Sequence, residues 1–115
     1  MNTSPSPPRV PRAALRAATQ LSGQAEKAAE AAALLKSMAH ADRLLLLCAL
    51  VEGEQSVGQL GERSGMQQPS LSQQLGVLRR EGLVMTRREG KFVHYRIASP
   101  AVLALLTTLY EQFCA

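Results

Sequence analysis

Between Ser56 and Gly82 the chain spells out two short helices and the turn that joins them, and this segment restricts the fold more than any other. Ser56-Val57-Gly58-Gln59 is a capping box: the Ser56 hydroxyl is placed to accept the orphan amide at the third helical position while Gln59 reaches back. Gly65 falls where a left-handed residue ends such a helix, and Gln68-Pro69 offers the next start, proline being favoured at the first helical position. In the second helix Leu71, Leu75 and Leu78 recur at i, i+4 and i+7 and face inward, which turns Ser70, Gln73, Gln74 and Val77 to the other side. Gly82 closes it.

The flanking elements follow from propensity and periodicity. Gln24 to Met38 is alanine-rich and free of Gly and Pro, a first helix whose small side chains suit close helix packing. A second helix runs from about Ala41 to Val51 and, apolar nearly all round after Arg43, is expected to be buried until Glu52-Gly53-Glu54 breaks it. Leu83 to Arg88 and Lys91 to Ile97 read as strands joined by a Glu89-Gly90 loop. In the second strand Val93, Tyr95 and Ile97 alternate with Phe92, His94 and Arg96, one face buried and the other basic. Ser99-Pro100 caps a last helix with its apolar stripe at Val102, Leu105, Leu106, Leu109 and Phe113. The order is α-α-α-α-β-β-α: a mainly α fold with a β-hairpin beside the helix-turn-helix.

At 115 residues, 46% of them apolar, this is one domain. We place it at 23–115, after a disordered tail over 1–22 in which Pro5, Pro7, Pro8 and Pro11 break any presequence helix. Aromatics at 3% leave aliphatic packing to hold the core and speak against sugar-stacking and base-stacking sites. The longest apolar run, Leu44 to Val51, is far short of the roughly 20 residues a membrane span needs. Cys48 and Cys114 have no metal-ligand spacing and are too few for a disulfide scaffold, which points to the cytosol. No cofactor motif is visible. Without C-x-x-C, a phosphate loop or a base beside a cysteine, the chain does not read as an enzyme.

Net charge is +4, but its distribution says more. Residues 26–69 carry four basic and six acidic side chains, residues 70–96 six basic and two acidic, so a basic segment sits on a mildly acidic body and a polyanion is the expected partner. A helix-turn-helix presents its second helix to the major groove of double-stranded DNA. Gln73 and Gln74 can donate and accept at once, matching the N6/N7 edge of adenine. Gln68, Ser70, Ser72 and Arg79 share that surface, which is glutamine-rich where an ordinary solvated face would carry Glu and Lys. Arg87, Arg88 and Lys91 at the hairpin tip would form a basic wing against phosphates, a role compatible with protecting an edge strand by charge.

Three stretches, Leu34-Leu35-Lys36-Ser37-Met38-Ala39-His40 to Arg43-Leu44, Val51-Glu52-Gly53-Glu54, and Pro69-Ser70-Leu71-Ser72-Gln73-Gln74-Leu75, resemble the ArsR family of winged-helix repressors over about residues 24–114. The resemblance implies a homodimer built on the first and last helices, a reading helix near 69–80 and a wing at 84–97. Two reading helices roughly 34 Å apart would then meet an inverted-repeat operator.

Read from the residues alone, Cys48 and Cys114 are either inert small hydrophobes or reactive thiols. A subgroup of the family, the biofilm-growth-associated and sulfide-responsive repressors, is similar in carrying one cysteine in the second helix and one at the end of the last. That likeness implies a dithiol sensor of persulfides and polysulfides that leaves DNA when the pair is bridged, with Tyr110 lining the site; peroxide or general thiol oxidation to a plain disulfide is the alternative. Physical chemistry places Cys48 out of water and Cys114 at the negative end of a helix, which disfavours both thiolates. The cysteine pair and the Asp/His/Glu clusters of the metal-sensing members are absent, and His40 and His94 are far apart in sequence, His40 reading as a structural residue at a helix start. Stoichiometric zinc, cadmium or arsenite is therefore expected to leave the protein on its operator; DNA release with tight, geometrically defined metal binding in a gel shift and a metal titration would contradict this.

Overall fold

The computed structural model describes residues 11–12 and 23–114, so the expected tail over 1–22 lies outside the described residues apart from Pro11 and Arg12. The first element is α1, Gln24–Met38, with Glu26 in its first turn and Lys36 in its last, each matched to the helix dipole. The compact unit that carries everything below begins at Leu34. His40 caps α2, Ala41–Leu50, by accepting the Asp42 amide on its side chain at 3.2 Å, the structural role expected of it.

The helix-turn-helix forms as its signals dictate. In α3, Val57–Ser64, the capping box is complete: the Gln59 amide donates to Ser56 Oγ at 3.2 Å and the Ser56 amide to Gln59 Oε1 at 2.8 Å. Gly65 ends the helix at φ 72°, its N–H bonded to the Gly61 carbonyl. The next helix, α4, spans Ser70–Arg80, and Pro69 precedes it as the cap residue instead of taking the first helical position, without a side-chain cap. After α4 the Leu83 amide donates to Leu78 and the Gly82 amide to Arg79, the paired bonds of a Schellman motif with Gly82 at φ 77°.

Two expectations about the strands need correction. The hairpin pairs β2, Val84–Glu89, with β3, Phe92–Ile97, in the register Glu89↔Phe92, so the loop is Gly90-Lys91, one residue later than Glu89-Gly90. Gly90 takes φ 62° and among the described residues no non-glycine residue has positive φ, which fits glycine at the first loop position of a primed turn. The hairpin also gains a third strand, β1, Gln55–Ser56, paired with β3 through Gln55↔Tyr95 and Ser56↔His94 in the order β1-β3-β2. Ser56 thus ends a strand and caps a helix at once.

The last helix, α5, is Pro100–Phe113, capped by Ser99, with Cys114 closing it. The core is aliphatic, as the lack of aromatics requires. Leu46 and Leu47 of α2, Leu60 of α3, Leu75 and Leu78 of α4, Leu83, and Val102 and Leu106 of α5 are all essentially inaccessible to solvent. The all-round burial expected of α2 does not occur. Leu46, Leu47 and Leu50 are buried, whereas Leu45 is 46% exposed and Cys48 is exposed, because the rest of the chain covers only one side of the helix. Replacing Ser56 by Ala removes the cap from the first helix of the reading unit and is expected to cost about 0.5 to 2 kcal/mol in urea unfolding, with an unchanged m-value.

Candidate nucleic-acid interface and dithiol pocket

Helix α4 is held by its inward leucines and shows the solvent a polar face of uneven freedom. Ser70, Ser72 and Gln73 are exposed, and Arg79 is exposed in the last turn, where positive charge suits the helix dipole. Ser72 Oγ donates to Gln68 Oε1, so these two side chains arrive at the surface as a linked pair. Gln74 departs from the expected grouping. It is half-buried, and its Oε1 accepts a bond from Arg43 Nη1 of α2 at 3.2 Å. At about 100° per residue Gln74 lies about 40° from the buried Leu78 and about 60° from Leu71 on the helical wheel, at the edge of the polar face. Val77, on the same expected face, is also half-buried.

The hairpin tip divides its cations into two kinds. Arg88 and Lys91 are exposed and take part in no ion pair among the described residues. Arg87 is engaged: Nη2 lies 2.6 Å from Glu54 Oε1, Nε donates to the same oxygen at 2.7 Å, and Nη1 meets Glu89 Oε2 at 2.9 Å. The Arg87 hydrogen bond holds the Glu54 carboxyl below the usual carboxylate range, and the two carboxylates hold the Arg87 proton more firmly still. His94 Nε2 stands 3.7 Å from Glu89 Oε2 at the margin of the cluster. Glu54 and Arg43 were not picked out from the sequence. The available signals were an acid preceding a basic hairpin and a lone cation in an apolar helix.

Helix α2 and the end of α5 bring the two cysteines to one pocket. An apolar pocket of about 380 Å³ is lined by Leu44, Cys48, Leu109, Tyr110, Phe113 and Cys114. A second, of about 210 Å³, is lined by Cys48, Val51, Glu52, Leu106 and Tyr110, so Cys48 and Tyr110 stand between the two. Both cysteines are free thiols and both are exposed, which corrects the expectation of a buried Cys48. Its apolar neighbours still strip water from the sulfur. Burial first, and the nearby Cys114 second, push the Cys48 thiol above its ordinary value. No group of three or more His, Cys, Asp or Glu side chains among the described residues is arranged to hold a metal ion, and no helix there is long and apolar enough to cross a membrane.

A winged helix-turn-helix with a glutamine-bearing second helix and a basic hairpin defines a class of DNA-binding regulators, and comparison with known proteins gives the family. Residues 40–86 match the family described as "Bacterial regulatory protein, arsR family". The chain is 51% identical over 90 residues to the biofilm growth-associated repressor of Agrobacterium fabrum, covering 78% of this chain and 77% of that protein. The crystal structure of the transcriptional repressor BigR from Xylella fastidiosa superposes with a TM-score of 0.76 at 49% identity, over 82% of this chain and 96% of that one. Reduced HlyU from Vibrio cholerae superposes with a TM-score of 0.78 at 42% identity, over 83% of this chain and all of that one (100%). The chain belongs to the ArsR family of bacterial regulatory proteins. It is a transcriptional regulator and not an enzyme.

The two kinds of cation at the tip give different expected outcomes. Arg88→Ala should weaken binding to all DNA sequences alike and reduce the slope of log K against log salt by about 1. Arg87→Ala should reduce it by less, since that guanidinium must first leave Glu54 and Glu89. Gln73→Ala should instead lower specific affinity by about 1 to 3 kcal/mol and relax base choice. Salt-dependent gel shifts with operator and unrelated DNA check all three. Equal slopes for the two arginine variants would mean that the ion pairs have no hold on Arg87.

Proposed function

We propose that this protein is a homodimeric repressor that binds an inverted-repeat operator through Gln68, Ser70, Ser72, Gln73, Gln74, Arg79, Arg87, Arg88 and Lys91, and that reactive sulfur species release it by bridging Cys48 to Cys114. The observation that carries the sensor half is the shared pocket: two free thiols from different helices line one apolar cavity with Tyr110. Repression is the activity named for the biofilm growth-associated relative. The dimer reading rests on exposed apolar side chains of α1 and α5, Leu35 at 54%, Tyr110 at 58% and Phe113 at 81%, and on a further apolar cavity of about 290 Å³ between Leu35, Met38, Leu44, Leu105 and Leu109. We place the protein in the cytoplasm, on its operator, with the folded domain starting after residue 22.

The chemistry balances with an organic persulfide as the oxidant. Each thiolate takes the outer sulfur of one persulfide and expels a thiolate, giving Cys48–S–SH and Cys114–S–SH. The ionised Cys48 persulfide then attacks the Cys114-bound sulfur of the second. A Cys48–S–S–S–Cys114 bridge forms and HS⁻ leaves. Because the Cys48 thiol is raised, its own sulfur transfer is the slow step at neutral pH; the persulfide it forms is a stronger acid than the parent thiol, so the closing attack has its anion. A plain disulfide requires Cα atoms about 4.4 to 6.8 Å apart, and an inserted sulfur widens the reach.

Mass spectrometry after polysulfide treatment is expected to show Cys48 joined to Cys114 through added sulfur within one subunit, with loss of the gel shift, and Cys48→Ser or Cys114→Ser should stay on DNA. Raising the pH should speed alkylation of Cys48, and Cys114→Ser should move that profile to lower pH by removing one cause of the shift. If peroxide produces a plain disulfide and DNA release just as readily, the protein is a general thiol-redox regulator instead.

A further inference from the structure

We propose that Arg43 is a positioning residue for sequence readout: it holds the Gln74 amide by its oxygen, so that the amino group is offered to the groove and guanine is selected over adenine. This rests on the operator-binding reading above. Arg43 is half-buried in α2 and braced at one end, its Nε donating to the Ser37 carbonyl at 2.6 Å, while Nη1 donates to Gln74 Oε1 at 3.2 Å. A guanidinium has five N–H donors and no acceptor, so the Gln74 atom that faces it must be the carbonyl oxygen. The two-fold ambiguity of an amide is thereby removed by chemistry.

That orientation changes what Gln74 can read. Glutamine recognises adenine by donating to N7 and accepting from N6 at the same time. At Gln74 the acceptor already carries a charge-assisted bond, and an N6 amino group brought to it would meet the Arg43 cation. The amino group remains. Guanine offers two acceptors on this edge, N7 and O6, and no donor, and both gain from a nearby positive charge. Gln73, one residue earlier, makes no side-chain hydrogen bond among the described residues and is exposed, so it keeps both ends of its amide for adenine. Two adjacent glutamines with the same side chain are set to different bases by one arginine in another helix.

The test selects duplexes with a randomised half-site, and Gln74→Ala identifies the base pair whose preference depends on Gln74. At that pair the wild type is expected to favour guanine over adenine by about tenfold. Arg43→Met, neutral and of similar length, should bring the two bases within about twofold of each other, and Arg43→Lys, which keeps a cationic donor, should retain most of the preference. A measurement on the unaltered protein guards against misfolding of Arg43→Met. With adenine placed at that pair, replacing it by purine, which lacks the N6 amino group, should tighten binding, whereas a conventional glutamine–adenine pair would lose affinity. Adenine preference in the wild type, weaker binding to purine, or a guanine preference unmoved in a folded Arg43→Met would overturn the proposal while leaving operator binding intact. Failure of the wild type to select any sequence would overturn both.

Discussion

The packing of Leu71, Leu75 and Leu78 against Leu46, Leu47 and Leu60 is the interaction on which the remaining structure depends. A helix of eleven residues is marginal by itself, and α4 exists because one side of it enters an aliphatic core shared with α2 and α3. The same contact fixes the roll of α4 about its axis, and therefore which side chains face outward. Gly61 marks how close the approach is: a Cβ there would stand 3.3 Å from Leu71 Cδ2. Losing leucine burial would cost more than stability, since the polar face would no longer have a defined direction.

Electrostatics then grades that surface. Were all six cations between residues 70 and 96 free, the wing and the last turn of α4 would bind any polyanion with similar strength. Glu54 and Glu89 withdraw Arg87 from that pool, and the bond between Arg43 and Gln74 spends a cation from outside the segment on orienting an amide. These side chains are exposed or partly so, and the stabilisation from such pairs is small. Their effect is on which groups are available to an incoming phosphate or base.

How much of this the sequence discloses depends on how local each cause is. The capping box at Ser56, the left-handed glycines at 65 and 82 and the leucine stripe of α4 are set by neighbours within a few residues, and all are legible. The strand at Gln55–Ser56 is not, because two residues carry no periodicity and its partner, Tyr95-His94, is some forty positions away. The hairpin loop is misplaced by one residue for the same reason: residue preference favours Glu89-Gly90, while the cross-strand pairing Glu89↔Phe92 decides the register. Cys48 reads as buried because its helix is apolar all round, but composition cannot distinguish a face turned to the core from one left open to solvent. The contacts of Arg43 with Gln74 and of Arg87 with Glu54 span 31 and 33 positions of chain, beyond any local signal.

Helix α2 connects these separate features. Arg43 and Cys48 lie roughly 7.5 Å apart along its axis and roughly 140° apart around it, so one helix reaches Gln74 of α4 on one side and the pocket shared by the two thiols on another. Leu46, Leu47 and Leu50 of the same helix seat it in the core. Leu44, one turn before Cys48, lines the same pocket as both thiols. A close-packed core resists gradual deformation and tends to shift between discrete arrangements, so a covalent tie between α2 and α5 would act on α2 as a whole and not on Cys48 alone. Any rotation or translation that the tie imposed on α2 would reach Gln74 through Arg43. The proposed sulfur bridge would therefore act on base choice and on the placement of the reading helix through the same rigid element.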